Sequence, residues 1–197
     1  MSKNNNVDEE VSCCCCGPVA VAVGDSVPCF EMDAWSPAEA AFTKVSSCKL
    51  KEAGKWTVLF FFPAAYTPVC PTELEELAEN QDVLKKLGAE VVSVSTDTKF
   101  VQSSWQQSEK LLEGVKFTMA ADPTGKISRI FGVYDEDTGL ALRGTFIISP
   151  TGKLVSSEVS YYNVARSAKE LVRKVEANAY VGAHPDQVCP ARWKAAK

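Results

Sequence analysis

The chain has 197 residues, 46% hydrophobic and 23% charged, with a formal net charge of −4. That is enough to bury one substantial core and too short to need two domains, and without a block of Lys or Arg there is no electrostatic footprint of a nucleic-acid or membrane-surface binder. No apolar run approaches the ~20 residues needed to cross a bilayer.

Residues 1–26 open polar, with Asp8, Glu9 and Glu10, pass through Cys13, Cys14, Cys15 and Cys16, and become small and Gly-bearing without periodicity. They read as a flexible tail, leaving a domain at 27–180 and a C-terminal segment at 181–197. The tail's charge order is wrong for a secretory signal and too acidic for a transit peptide, which predicts a cytoplasmic protein. Residues 56–62 form a continuous apolar, aromatic and β-branched run closed by Pro63, the pattern of a central strand covered on both faces. Residues 71–87 place Leu74, Leu77, Val83, Leu84 and Leu87 among charged side chains, with proline at the start and Gly88 at the end, predicting an amphipathic helix. Residues 89–95 predict a second buried strand. Strand, helix and strand in this order make a right-handed βαβ unit with parallel strands, and hence an α/β sandwich.

Farther along, 100–112 reads as helix, 117–121 as extended and 124–131 as helix. Pro150-Thr151-Gly152-Lys153 lies between apolar runs at 144–149 and 154–159, the signature of a β-hairpin. A last helix is predicted from Ser167, as N-cap ahead of Glu170, to Tyr180.

Eight cysteines with no secretion signal point to redox chemistry or metal binding rather than a disulfide framework. There is no C-x-x-C pair outside the run 13–16, and His184 is the single histidine, so a zinc site has few ligands and no metal is expected. The 13–16 run leaves metal capture, thiol exchange and lipid attachment open, with a disordered tail preferred because four adjacent side chains cannot face one tetrahedral ion without strain. Cys29 and Cys48 read as ordinary small hydrophobes, and His184 as a structural residue rather than a base.

The turn at 63–73, Pro63-Ala64-Ala65-Tyr66-Thr67-Pro68-Val69-Cys70-Pro71-Thr72-Glu73, carries the chemistry. It puts Cys70 in the first turn of a helix, where unpaired N–H groups and the positive end of the dipole favour thiolate over thiol. Thr67 can turn its hydroxyl into the same pocket. With no Cys/His arrangement to build on, activation must come from Arg or Lys and from the backbone. Arg143 enters an apolar strand, where a cation needs an anionic partner.

These residues resemble a known family. Pro63-x-x-x-Thr67-x-x-Cys70 is similar to the signature of the peroxiredoxins, and Val69-Cys70-Pro71-Thr72-Glu73 with Val188-Cys189-Pro190 to its typical two-cysteine subgroup. The segments 93–98, Trp105, 122–125 and 183–194 resemble, more narrowly, the alkyl hydroperoxide reductase C group. The resemblance spans about 27–194 and implies a thioredoxin-like α/β fold, a central mixed sheet flanked by helices, with no cofactor. It implies that Cys70 attacks the peroxide O–O bond and becomes a sulfenic acid, that Thr67 and Arg143 hold the peroxide oxygens, and that Pro63 shields the pocket. Glu73 and Arg166 would orient Arg143, and Cys189 would resolve the sulfenic acid from the partner subunit of a head-to-tail homodimer. Implied partners are the hydroperoxide substrate, a dithiol reductant (a thioredoxin-like protein or a flavoprotein disulfide reductase) and further copies of the chain, up to a decamer of five dimers. No nucleic acid and no membrane is expected.

Because a disulfide needs Cα atoms within ~7 Å, the turn around Cys70 must unwind and the Cys189 segment must move for the two to join. The loop at 110–115 departs from the Gly-Gly-Leu-Gly loop of easily over-oxidised relatives, and the chain stops eight residues past Cys189. Both predict resistance to excess peroxide. Two rival activities follow from the same residues: a thioredoxin-type disulfide reductase, disfavoured by the missing C-x-x-C, and a ring-forming holdase chaperone.

Overall fold

The computed structural model describes residues 20–193. The predicted central strand is β3 (Trp56–Phe61), and its six residues alternate between two cores. Val58, Phe60 and the following Phe62 face one, while Leu59 and Phe61 face the other. A strand with apolar side chains on both faces must be covered on both, which is why the run shows no polar alternation.

Beside β3 lie β4 (Ala89–Ser95), in parallel, and β6 (Arg143–Ile148), antiparallel. The connection from β3 to β4 is α2 (Cys70–Lys86), so the βαβ unit is present, and Gly88 at φ 75° closes the helix as its position suggests. The predicted hairpin pairs β6 with β7 (Leu154–Ser160), with Gly152 at φ 83° in the turn. β5 (Thr118–Ala121) adds to β4 in parallel. The stretch predicted as one helix at 100–112 divides into α3 (Lys99–Ser108) and a 3₁₀ turn at Lys110–Leu112, because Glu109 is extended. The helix expected at 124–131 shortens to α4 (Lys126–Ile130).

Ahead of β3, residues 27–55 carried no predicted element. They form a hairpin of β1 (Glu31–Ser36) and β2 (Ala41–Ser46), followed by the short α1 (Ser47–Glu52). The sheet thus has seven strands in the order β2-β1-β5-β4-β3-β6-β7, mixed in direction. Cores with Leu74, Leu77 and Trp105 on one face and Ile127 and Phe131 on the other put α2, α3 and α5 (Ala168–Ala183) opposite α1 and α4.

Three expectations need correction. The hairpin register pairs Glu31 with Ser46, and Ser47 exchanges hydrogen bonds with Phe30. One step farther along that register, Cys29 faces Cys48, with Cα atoms 5.4 Å apart and a disulfide between them, so they are not two separate small hydrophobes. The stretch read as tail is anchored to the body before Ser26. Val21 donates to the Ile130 carbonyl at 2.9 Å, Gly24 donates to that of Leu154 at 2.8 Å, and Ser26 bridges to Lys153. Finally, α5 runs on to Ala183, and Ser167 stands at its N-cap position without capping through its side chain. Glu76 of α2 does that instead, accepting the Ala168 N–H at 3.1 Å. The four cysteines at 13–16 lie outside the described residues.

Candidate active site

The C-terminal end of β3 delivers the chain to the middle of one sheet edge, and residues 62–69 turn it back into α2. The Asp97 carboxylate holds this turn, accepting the Ala65 N–H at 2.8 Å and the Ser95 hydroxyl at 2.7 Å. Gln102 donates in turn to Ser95 at 2.6 Å. Tyr66 takes a left-handed φ of 58° at the tip and hydrogen-bonds Ser104 at 3.0 Å. A non-glycine residue in this region is held there by its surroundings, here an aromatic contact to Trp105 as well.

Cys70 is the first residue of α2 and is fully buried, with Pro71 fixing the backbone directly after it. The donor that the fold gives the sulfur is Arg143 Nη1, at 3.6 Å. Arg143 arrives from the neighbouring strand β6 and is itself 3% exposed. Its Nε donates to the Tyr162 carbonyl at 2.7 Å, and Nη1 also donates to Glu73 Oε2. Glu73 lies one turn into α2, on the same face as Cys70, and is the anionic partner that a buried Arg143 requires.

Glu73 serves two guanidinium groups. Its Oε1 accepts from Arg166 Nε at 3.0 Å and from the Arg166 backbone N–H at 2.8 Å. Arg166 Nη1 donates to the Gly144 carbonyl at 2.8 Å and the Thr145 hydroxyl at 3.0 Å, and its Cζ lies 3.5 Å from the centre of the Phe60 ring. Burial pushes the Arg166 guanidinium below its ordinary value, and the Glu73 carboxylate pulls against that. The cluster reads cation, anion, cation beside a sulfur.

Pro63 is buried behind the turn, and Thr67 is half-buried with its hydroxyl donating to the Ala64 carbonyl at 3.0 Å, leaving its lone pairs free. Cys70, Arg143, Glu73 and Arg166 therefore form one connected cluster, with Thr67 and Pro63 in the turn that leads into it. Cys189 is elsewhere. Its sulfur is half-buried against α5, 3.7 Å from the Ala177 carbonyl, and both Cys70 and Cys189 are free thiols. The segment that carries it folds back over the end of α5, where Tyr180 stacks with His184 at 4.4 Å and touches Trp193 at 5.1 Å. His184 also closes α5, its N–H donating to the Tyr180 carbonyl at 3.0 Å.

Sequence reasoning missed Asp97 and Tyr162. The Asp97 side chain could have been suspected from its place just beyond β4, whereas Tyr162 acts through its carbonyl, which leaves no mark on residue type. A cleft of about 360 Å³ opens by Asp33, Lys99, Phe100 and Lys126, but it contains no cysteine and no part of the cluster.

The model of the AhpC/TSA family matches residues 23–157. The chain belongs to that family. Alkyl hydroperoxide reductase C of Salmonella typhimurium is 47% identical over 141 residues, 72% of this chain and 75% of that protein. The Bacillus subtilis protein of the same name is 46% identical over 172 residues, 87% of this chain and 90% of that one. Among solved structures, Enterococcus faecalis AhpC superposes with a TM-score of 0.81 at 40% identity, covering 86% of this chain and 99% of the other. The reduced 2-Cys peroxiredoxin of Plasmodium vivax gives a TM-score of 0.81 at 28% identity, covering 89% and 90%. The AhpC/TSA likeness makes the seven-stranded α/β architecture a thioredoxin-like one, as the sequence motifs imply.

Proposed function

We propose that the Cys70 cluster carries out a thiol-dependent reduction of hydroperoxides, in line with the chain's membership of the AhpC/TSA family of peroxiredoxins. The observation that carries the reading is the contact of Arg143 Nη1 with Cys70 Sγ at 3.6 Å, with both side chains buried. The Cys70 thiolate attacks the terminal oxygen of ROOH along the O–O axis. The O–O bond breaks, its electron pair leaves on the alkoxide oxygen, and a proton makes ROH while Cys70 keeps the other oxygen as a sulfenic acid. Arg143 stabilises charge on sulfur before the step and on the departing oxygen after it, the role of a donor already in place before the reaction begins. The Thr67 hydroxyl orients the peroxide, Pro63 keeps water out, and Glu73 with Arg166 fixes the Arg143 plane.

The Cys189 thiol then attacks the sulfenic sulfur, forming a Cys70–Cys189 disulfide and releasing water. Cys189 comes from a second copy of the chain. Supporting this is β7, the last strand of the sheet, whose outer edge meets residues 24–26 at Leu154 and whose far end carries Val159, 48% exposed, followed by exposed Tyr161 and Val164. Five such dimers would close into a decamer through an aromatic patch that borders the Cys70 turn, where exposed Tyr66 meets Ser104 of α3 and exposed Phe42 packs on Phe100 of the same helix at 5.3 Å. A dithiol reductant, either a thioredoxin-like protein or a flavoprotein disulfide reductase, reopens the disulfide.

Stopped-flow consumption of peroxide tests the cycle. The Cys189→Ser protein reduces one equivalent per chain and then stalls, whereas Cys70→Ser loses at least about a thousandfold in rate. Sustained turnover by Cys70→Ser would overturn the assignment.

A further inference from the structure

The peroxidase cycle leaves the Cys29–Cys48 disulfide unused. It lies at the other end of the sheet from Cys70: its cleft touches Thr57 at the start of β3 and Ile148 at the end of β6, while Cys70 follows the far end of β3. The six residues of β3 separate the two by about 20 Å. Cys29 is exposed and Cys48 half-buried, in contrast to the fully buried Cys70. The cleft beside the disulfide holds about 80 Å³, and Lys51 and Lys55 line it together with both cysteines, Ser47 and Thr57, with no carboxylate among its lining residues. Exchange at a disulfide needs an accessible sulfur to attack and a stabilised thiolate to leave. This cleft supplies the first in Cys29, and in its two ammonium groups it supplies the second together with an attraction for negative charge.

We propose that Cys29–Cys48 is a second redox site, separate from the peroxidase centre, that exchanges with small carboxylate-bearing thiols. The incoming thiolate attacks Cys29 Sγ, and the S–S bond breaks. A mixed disulfide forms on Cys29, and the electron pair leaves on Cys48 Sγ, next to Lys51 and Lys55. A second thiolate attacks the sulfur of the bound small molecule, releasing its symmetrical disulfide and leaving Cys29 as a thiolate. In sum, two thiols are oxidised and one protein disulfide is reduced.

The test uses the full chain with Cys70→Ser and Cys189→Ser, so that the peroxidase thiols are silent, and reduced glutathione as the probe. Acid quenching, alkylation and peptide mapping separate Cys29 and Cys48 from the cysteines at 13–16. The expected result is an intact disulfide before treatment, a first glutathione adduct on Cys29, and opening that slows roughly fivefold when Lys51 and Lys55 are both changed to Gln. Neutral 2-mercaptoethanol feels the two ammonium groups only through the leaving Cys48 thiolate, so the same pair of substitutions slows its reaction by less, about twofold. Free Cys29 and Cys48 thiols in air-oxidised protein, an adduct that forms first on Cys48, or equal slowing with both thiols would each overturn the proposal. So would a fall in peroxide turnover in an otherwise wild-type Cys48→Ser protein, since it would make the pair part of the peroxidase.

Discussion

The two cysteines that the proposed cycle joins are held in opposite ways. Cys70 is sealed in the core and touches a guanidinium that is locked by a carboxylate, a backbone carbonyl and a second guanidinium behind that carboxylate. Cys189 rests on one helix carbonyl, in a segment pinned by a few exposed aromatic contacts. Chemistry on the first sulfur needs a fixed electrostatic surround, whereas the second must travel to reach its target, so it is held by contacts that are weak enough to break. The contrast separates rigidity for the peroxide step from looseness for the disulfide step, and both halves can be tested.

The largest effect is expected at Glu73, on which the rigid half depends. Glu73→Gln keeps the shape but leaves two buried guanidinium groups without their anion, and losing one partner of a buried pair costs about 3–5 kcal/mol. Against a typical total of about 5–15 kcal/mol this is severe. Chemical denaturation reads it directly as a lower midpoint at unchanged slope. A loss below about 1 kcal/mol would mean that Glu73 is not the keystone of the cluster.

Arg143→Gln is next. It removes the donor to sulfur, and losing a donor of this kind slows a reaction about 100- to 1,000-fold. The measurement is the second-order rate of Cys70 oxidation in single turnover, with the folded fraction checked separately because Glu73 loses a partner too. Lysine at this position restores the charge without the fork that reaches Glu73 and Cys70 together, so Arg143→Lys recovers only part of the rate.

The loose half gives way at Trp193. Its contact with Tyr180 at 5.1 Å is of a kind that contributes about 0.5–1.5 kcal/mol. Trp193→Ala should therefore raise the open population several-fold and speed Cys70–Cys189 disulfide formation in the same proportion, with peroxide attack on Cys70 unaffected. An unchanged resolving rate would place the slow motion at the first turn of α2 instead.

How much of this was legible in the sequence follows from the kind of signal each part leaves. β3, α2 and β4 showed plainly because long apolar runs and a capped amphipathic period are set by burial alone. The need of Arg143 for an anion was equally visible, since a cation in an apolar strand permits little else. The β1–β2 hairpin was not legible: β2 buries only Val45 completely, so no alternation marks it. Without the hairpin's register, nothing joined Cys29 to Cys48 across 19 residues. The hold on Arg143 by the Tyr162 carbonyl and the capping of α5 by Glu76 are likewise tertiary, and they depend on where the backbone arrives rather than on which residue arrives.

The smallest expected effect is also the one that links the rigid cluster to the surface. Tyr162, whose carbonyl anchors Arg143, donates its hydroxyl to Asp135 at 2.7 Å. That hydrogen bond, with further help from the backbone N–H of Asp137, holds the Asp135 carboxyl below its ordinary value. Burial, and next the same carboxylate, push the Tyr162 hydroxyl up. A carboxyl whose value is lowered by folding contributes stability that is present above its unfolded value of about 3.9 and is lost as pH falls through the lower folded value. Asp135→Asn should therefore lower Tm slightly at pH 7 and flatten the fall of Tm below about pH 4, so that the two proteins converge in acid. Two curves that stay parallel through that range would show that the contact gives Arg143 no anchor from outside, and the rigid half would then end at Tyr162.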